Sequence, residues 1–130
     1  MKKLIQIFAL ALLLLTIQNS RALGQKRIQF EKGKSSAVVQ STTGSTGTAY
    51  VLRAKSGQML VLTLTPRTGV GIRVETDGRY GQQVLLREEK GGSFEVGLEE
   101  SGDYTIFLGS TNGKSASFTL SIKIRKMTDI

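Results

Sequence analysis

From residue 28 onward, hydrophobic and polar residues alternate in short runs separated by Gly, Ser, Asn or Asp, the signature of half-buried strands joined by turns. Ile28 and Phe30 begin the pattern, and residues 37–40 make a second strand after Gly33-Lys34-Ser35. Residues 41–48 are polar with no apolar anchor and read as a mobile loop. Tyr50 and Leu52 then share one face, with Val51, Arg53 and Lys55 on the other. Residues 59–64 are apolar or β-branched throughout, predicting a central strand covered on both faces, which Pro66 ends because it has no N–H to give a ladder. Val70, Ile72 and Val74 alternate with Gly71, Arg73 and Glu75 up to a tight turn at Thr76-Asp77-Gly78. Val84 and Leu86 follow, then Phe94, Val96 and Leu98, with a charged turn at residues 87–92 between them. Tyr104, Ile106 and Leu108 repeat the pattern, and Phe118, Leu120, Ile122 and Ile124 complete it against a polar face of Ser117, Thr119, Ser121, Lys123 and Arg125.

No segment after residue 27 holds a 3.6-residue period, so the prediction is all-β, a single antiparallel β-sandwich of about eight or nine strands. Uneven turn lengths favour two packed sheets over an evenly closed barrel.

The N-terminus follows a different rule. Lys2 and Lys3 precede a nearly continuous apolar run over residues 4–17, and small residues follow at Ser20, Ala22 and Gly24. This is the layout of a secretory signal peptide, residues 1–24, ahead of one domain spanning residues 25–130. Cleavage after Ala22 and cleavage after Gly24 both satisfy the small-residue rule. The run is shorter than the roughly twenty residues of a membrane span, so the mature form is read as having none. With no cysteine there is no lipobox either, and the protein is assigned to the periplasm or the exterior.

Composition narrows the chemistry. The chain has 18 basic and 10 acidic residues, and loss of Lys2, Lys3 and Arg21 with the leader leaves 15 against 10. A moderately basic domain suits anionic partners, among them cell-wall polymers and polysaccharide. Histidine and cysteine are both absent, which removes the usual general base, the thiol nucleophile and the transition-metal ligands. Glu88-Glu89 and Glu99-Glu100 are the only carboxylate pairs to weigh for hydrolysis, but strand neighbours point to opposite faces and the second pair sits in a turn. The glycine clusters at residues 43–47 and 109–113 lack a phosphate-loop lysine and a following helix. Arg53, Lys55, Lys123 and Arg125 could line a basic face, yet most aromatics fall at inward positions, so specific nucleic-acid binding is not expected. The expectation is a binding protein without catalysis or cofactor.

Three segments, "IQFEKGKSSAV" at residues 28–38, "YVLRAKSGQMLVLTL" at 50–64 and "ESGDYTIFLGS" at 100–110, carry a resemblance across nearly the whole mature chain. They resemble the bacterial periplasmic inhibitors of g-type lysozyme and the pre-peptidase C-terminal (PPC) domain, a β-sandwich module of secreted enzymes. The opening segment, with Phe30, Gly33, Ser35, Ser36 and Ala37, is the more inhibitor-like part. The middle, residues 67–92, is shorter than the inhibitors' loops. The inhibitor resemblance implies a lysozyme partner bound through Ser101-Gly102-Asp103-Tyr104, which matches the Ser-Gly-x-Tyr loop of several lysozyme inhibitors, with Glu99 and Glu100 beside it. Because lysozymes are cationic, Glu95, Glu99, Glu100 and Asp103 would supply the local acidic face a basic inhibitor needs. The PPC resemblance implies instead a module that binds wall polymer, polysaccharide or protein.

Overall fold

The computed structural model describes residues 25–44, 46–78 and 81–127. The leader at residues 1–24 lies outside the described residues. Among the described residues nine strands follow one another without a helix: β1 (Gln25–Arg27), β2 (Ser36–Thr43), β3 (Thr48–Ala54), β4 (Gln58–Thr65), β5 (Val70–Gly78), β6 (Gly81–Glu88), β7 (Gly92–Leu98), β8 (Gly102–Ser110) and β9 (Ala116–Lys126). They form a five-stranded sheet in the order β1-β3-β8-β5-β6 and a four-stranded sheet in the order β2-β9-β4-β7.

Each alternation in the sequence aims one side of a strand between the sheets. Tyr50, Leu52 and Ala54 of β3, Val70, Ile72 and Val74 of β5, and Tyr104, Ile106 and Leu108 of β8 form one wall of the core. Leu60, Leu62 and Leu64 of β4, Val96 and Leu98 of β7, and Phe118, Leu120, Ile122 and Ile124 of β9 form the other. The two walls meet at Tyr50 and Phe118, whose rings pack edge to face with centroids 6.4 Å apart.

Departures from the sequence reading have local causes. The first strand is β1, just before Ile28; the Ile28 N–H still reaches the Val51 carbonyl at 2.8 Å, and Ile28 and Phe30 then pack on the core as the chain crosses to the other sheet. That crossing lets β1 lie parallel to β3, the one departure from antiparallel pairing among the described residues. The polar stretch after Gln40 is not a loop throughout, because β2 runs to Thr43, which is buried. Its hydroxyl donates to the Leu108 carbonyl at 3.2 Å and accepts from Thr48 at 3.1 Å, tying β2 of one sheet to β8 of the other.

β4 does lie inside its sheet, but only its inward face is sealed. Met59 and Val61 are half-buried, opposite Arg125 and Lys123, whose aliphatic stems shield such positions while their charges stay wet. The expected turn at Thr76-Asp77-Gly78 is strand: β5 continues until Gly78 faces Gly81 of β6. A register shift between Val74 and Glu75 leaves Leu85 as the extra residue, so Val84 pairs with Glu75 on the outer face and is 50% exposed. Leu86 keeps the inward place opposite Val74.

Candidate functional site

The β7–β8 connection, residues 99–101, projects from one end of the sandwich beside the β3–β4 turn at residues 55–57. Gly57 makes that turn possible with φ of +86°, while its N–H bonds the Leu98 carbonyl at 2.8 Å and its carbonyl accepts from Met127 at 2.9 Å. Gln58 accepts the Lys55 N–H at 2.8 Å and closes the same turn. Against it, the Ser101 hydroxyl oxygen accepts the Ser56 N–H at 3.0 Å. The two turns brace each other.

Tyr104 roots the loop. Its ring is buried in the core and its hydroxyl donates to the Glu100 carbonyl, folding the loop back over the strand that follows it. Burial raises the Tyr104 pKa, the bond to Glu100 lowers it, and the charges of Glu100 and Glu99 raise it again. Asp103 begins the outer face of β8, where Arg27 of β1 grips both carboxylate oxygens at 3.0 and 3.4 Å and Arg53 of β3 stands 3.8 Å away. Its carbonyl accepts from Thr76 of β5 at 2.9 Å. Asp103 is therefore held from three strands, with its charge answered by two arginines.

Glu99, Glu100 and Ser101 are exposed. The Glu100 carboxylate lies over Gly78 at the end of the β5–β6 hairpin, where a Cβ would meet it at 3.5 Å. Glu95 sits elsewhere, on the outer face of β7, paired with Arg125 at 3.2 Å. Of the four acids, then, two have arginine partners, and Glu99 and Glu100 form no ion pair among the described residues. The end presents two carboxylates and a hydroxyl on a braced wedge. Such groups accept hydrogen bonds from cationic or amide donors; they supply no nucleophile-and-base couple.

A second feature lies at the far end of β8, on the outer face of the five-stranded sheet. Gly71 of β5 pairs with Gly109 of β8, and both line a depression of about 600 Å³. Arg73, Phe107 and Arg87 line it, with Glu88 and Glu89 at the rim. The Arg73 guanidinium stacks 4.5 Å from the centre of the Phe107 ring while its Nε meets the Glu75 carboxylate. Glu75, read from the sequence as an outward residue, is 7% exposed beneath Arg73 and Gln82. Arg73 and Glu75 are two apart on one strand and so share a face, the only sequence signal that pointed to this cluster.

Among the described residues no group of three His, Cys, Asp or Glu side chains is placed to hold a metal ion.

No family model and no curated protein sequence matches the chain. Solved structures do. PliG from Aeromonas hydrophila, a periplasmic lysozyme inhibitor of g-type lysozyme, superimposes with a TM-score of 0.68 at 24% identity, over 78% of this chain and 96% of its own. PliG from Salmonella Typhimurium gives 0.61 at 21% identity, over 78% of this chain and 97% of its own. The pre-peptidase C-terminal domain of Bacillus anthracis collagenase gives 0.50 at 11% identity, over 82% of this chain and all of its own. The resemblance read from the sequence therefore extends to the architecture: the chain has the fold of the PliG inhibitors over nearly their whole length.

Proposed function

We propose that this protein is an exported, non-catalytic inhibitor of lysozyme, with a g-type enzyme as its target, and that the loop of Glu99, Glu100, Ser101, Gly102, Asp103 and Tyr104 is its contact. The observation that carries the reading is the construction of that loop. Ser101 and Asp103 are each bonded to a different strand or turn, and Tyr104 locks the loop's own backbone, while Glu99 and Glu100 stay exposed. A loop ordered before contact loses little entropy on binding, and exposed carboxylates complement a cationic enzyme. The PliG-like fold supports the same reading.

Export follows from the leader, residues 1–24, whose removal after Ala22 or Gly24 leaves a periplasmic or secreted domain. Mass spectrometry of the exported form tests this step, and a mass retaining the leader refutes it.

The loop is tested with Ser101→Arg. The new side chain is long, cationic and placed at the contact, whereas the loss to the fold is one exposed hydrogen bond, about 0.5–1.5 kcal/mol. Inhibition of a g-type lysozyme is lost while the thermal midpoint falls by about 2–12 °C. Full inhibition by this variant refutes the assignment of the loop.

One observation favours a second reading. Arg87 in the glycine-floored depression has no ion partner among the described residues, which suits an anionic wall polymer or polysaccharide, the kind of ligand a PPC-like module would hold. Sedimentation of the protein with peptidoglycan, reduced by Arg87→Ala and not by Ser101→Arg, distinguishes this from the inhibitor.

A further inference from the structure

We propose that the free edge of β2 is a self-association surface, through which two copies of this chain join their four-stranded sheets into one continuous sheet. A sandwich of two open sheets has four edge strands, here β1, β6, β2 and β7. An edge exposes unpaired backbone groups and is usually blunted by shortness, charge, proline or a bulge. β1 has three residues, two of them Lys26 and Arg27. β6 carries the bulge at Leu85 and the charges of Arg87 and Glu88. β7 carries Glu95 and the glycines Gly92 and Gly97.

β2 has none of these devices. Its eight residues, SAVVQSTT, include no charge, proline or glycine, and its register with β9 runs unbroken from Ser36 to Thr43. Val38 is 65% exposed, the most exposed large hydrophobic residue among those described.

The pairing pattern shows which groups are open. Ile124 donates to the Ser35 carbonyl at 2.9 Å, and Ser35 stands opposite Ile124 in the register. In an antiparallel ladder every second residue bonds the neighbouring strand and the residues between point their N–H and C=O the other way. Ser36, Val38, Gln40 and Thr42 therefore direct both groups to the open side. A second copy, related by a two-fold axis beside Val39, sets Ser36 opposite Thr42 and Val38 opposite Gln40. It satisfies about eight backbone hydrogen bonds and covers both Val38 side chains. The uncharged edge meets an identical uncharged edge, so the net positive charge of the chain adds no close repulsion there.

One strand pair buries less than the roughly 1,600 Å² of a standard interface, so the dimer is weak and its formation depends on concentration. β7, from which the 99–101 loop departs, is the opposite edge, about 14 Å across the sheet. Both copies of that loop stay open, and the association is independent of the proposed inhibition.

Sedimentation velocity of the leader-free chain from about 5 µM to about 1 mM tests this. The weight-average mass rises toward twice the monomer. Gln40→Pro removes an outward N–H without touching the bonds to β9, and Val38→Lys places a charge where the two edges meet. Each variant stays monomeric across the range, with its strand-type circular dichroism checked in parallel; if the proline variant does not fold, the lysine variant decides. A wild-type chain that is monomeric at 1 mM overturns the proposal, and so do folded variants that associate like the wild type.

Discussion

Tyr104→Phe removes one hydroxyl from the structure and leaves the ring. The ring is buried in the core, where phenylalanine fills nearly the same space, so no cavity opens. What is lost is the bond from the hydroxyl to the Glu100 carbonyl. Glu100 is exposed, and its carbonyl turns to water instead of being stranded, so the cost is that of one neutral hydrogen bond, about 1 kcal/mol. For a domain near 100 residues that corresponds to about 4–8 °C in the melting midpoint. The same bond holds the Glu100 backbone in place, and its loss frees the loop on the side where Glu99 and Glu100 project. Inhibition of lysozyme therefore weakens by up to about fivefold, the equivalent of the same 1 kcal/mol. Paired measurements of the thermal midpoint by circular dichroism and of the inhibition constant give both quantities. A variant that melts with the wild type and inhibits as tightly shows that Tyr104 does not root the loop.

Phe118→Ala removes a core ring and its edge-to-face contact with Tyr50, and lowers stability by about 3–5 kcal/mol in urea titration; a change below 1 kcal/mol would mean β9 is not packed in this register. Burial raises the pKa of the Tyr50 hydroxyl above 10.0, the Ser41 hydroxyl offsetting part of this, and Tyr104 is raised as well, first by burial. Below pH 10 both states are neutral; as pH climbs past the unfolded value toward the folded ones, the unfolded chain releases its protons first and stability falls. Melting midpoints between pH 8 and 11 show the loss, and Tyr50→Phe makes it shallower; an unchanged slope in that variant counts against the assignment.

The strands of the core were legible because each follows a period of two. Phe118 to Ile124 in β9 and Tyr104 to Leu108 in β8 read directly as inward stripes, and both are buried. The bulge at Leu85 was not legible, since Val84 and Leu86 keep the alternation in sequence while the ladder slips between them. Thr43 misled for another reason. A threonine in a polar run has the composition of a loop, and its burial depends on carbonyl and hydroxyl partners at Leu108 and Thr48, the first 65 positions away.

The candidate loop divides in the same way. Its exposed acids and its buried tyrosine follow from the turn-then-strand pattern. The partners that brace it do not, because Arg27 and Ser56 reach Asp103 and Ser101 from 76 and 45 positions earlier in the chain. That bracing also changes what the loop offers. Asp103 is occupied by arginines, and the carboxylates of the loop without an ion pair among the described residues are Glu99 and Glu100.

Inhibition of lysozyme by the leader-free protein is the direct test of the proposed function. A g-type lysozyme digesting bacterial cell walls is titrated with the wild-type protein from sub-stoichiometric amounts to about a hundredfold excess. The expected result is a saturable loss of lytic activity, complete near equimolar protein when the enzyme concentration is well above the inhibition constant. Lysozyme that remains fully active at a hundredfold excess contradicts it.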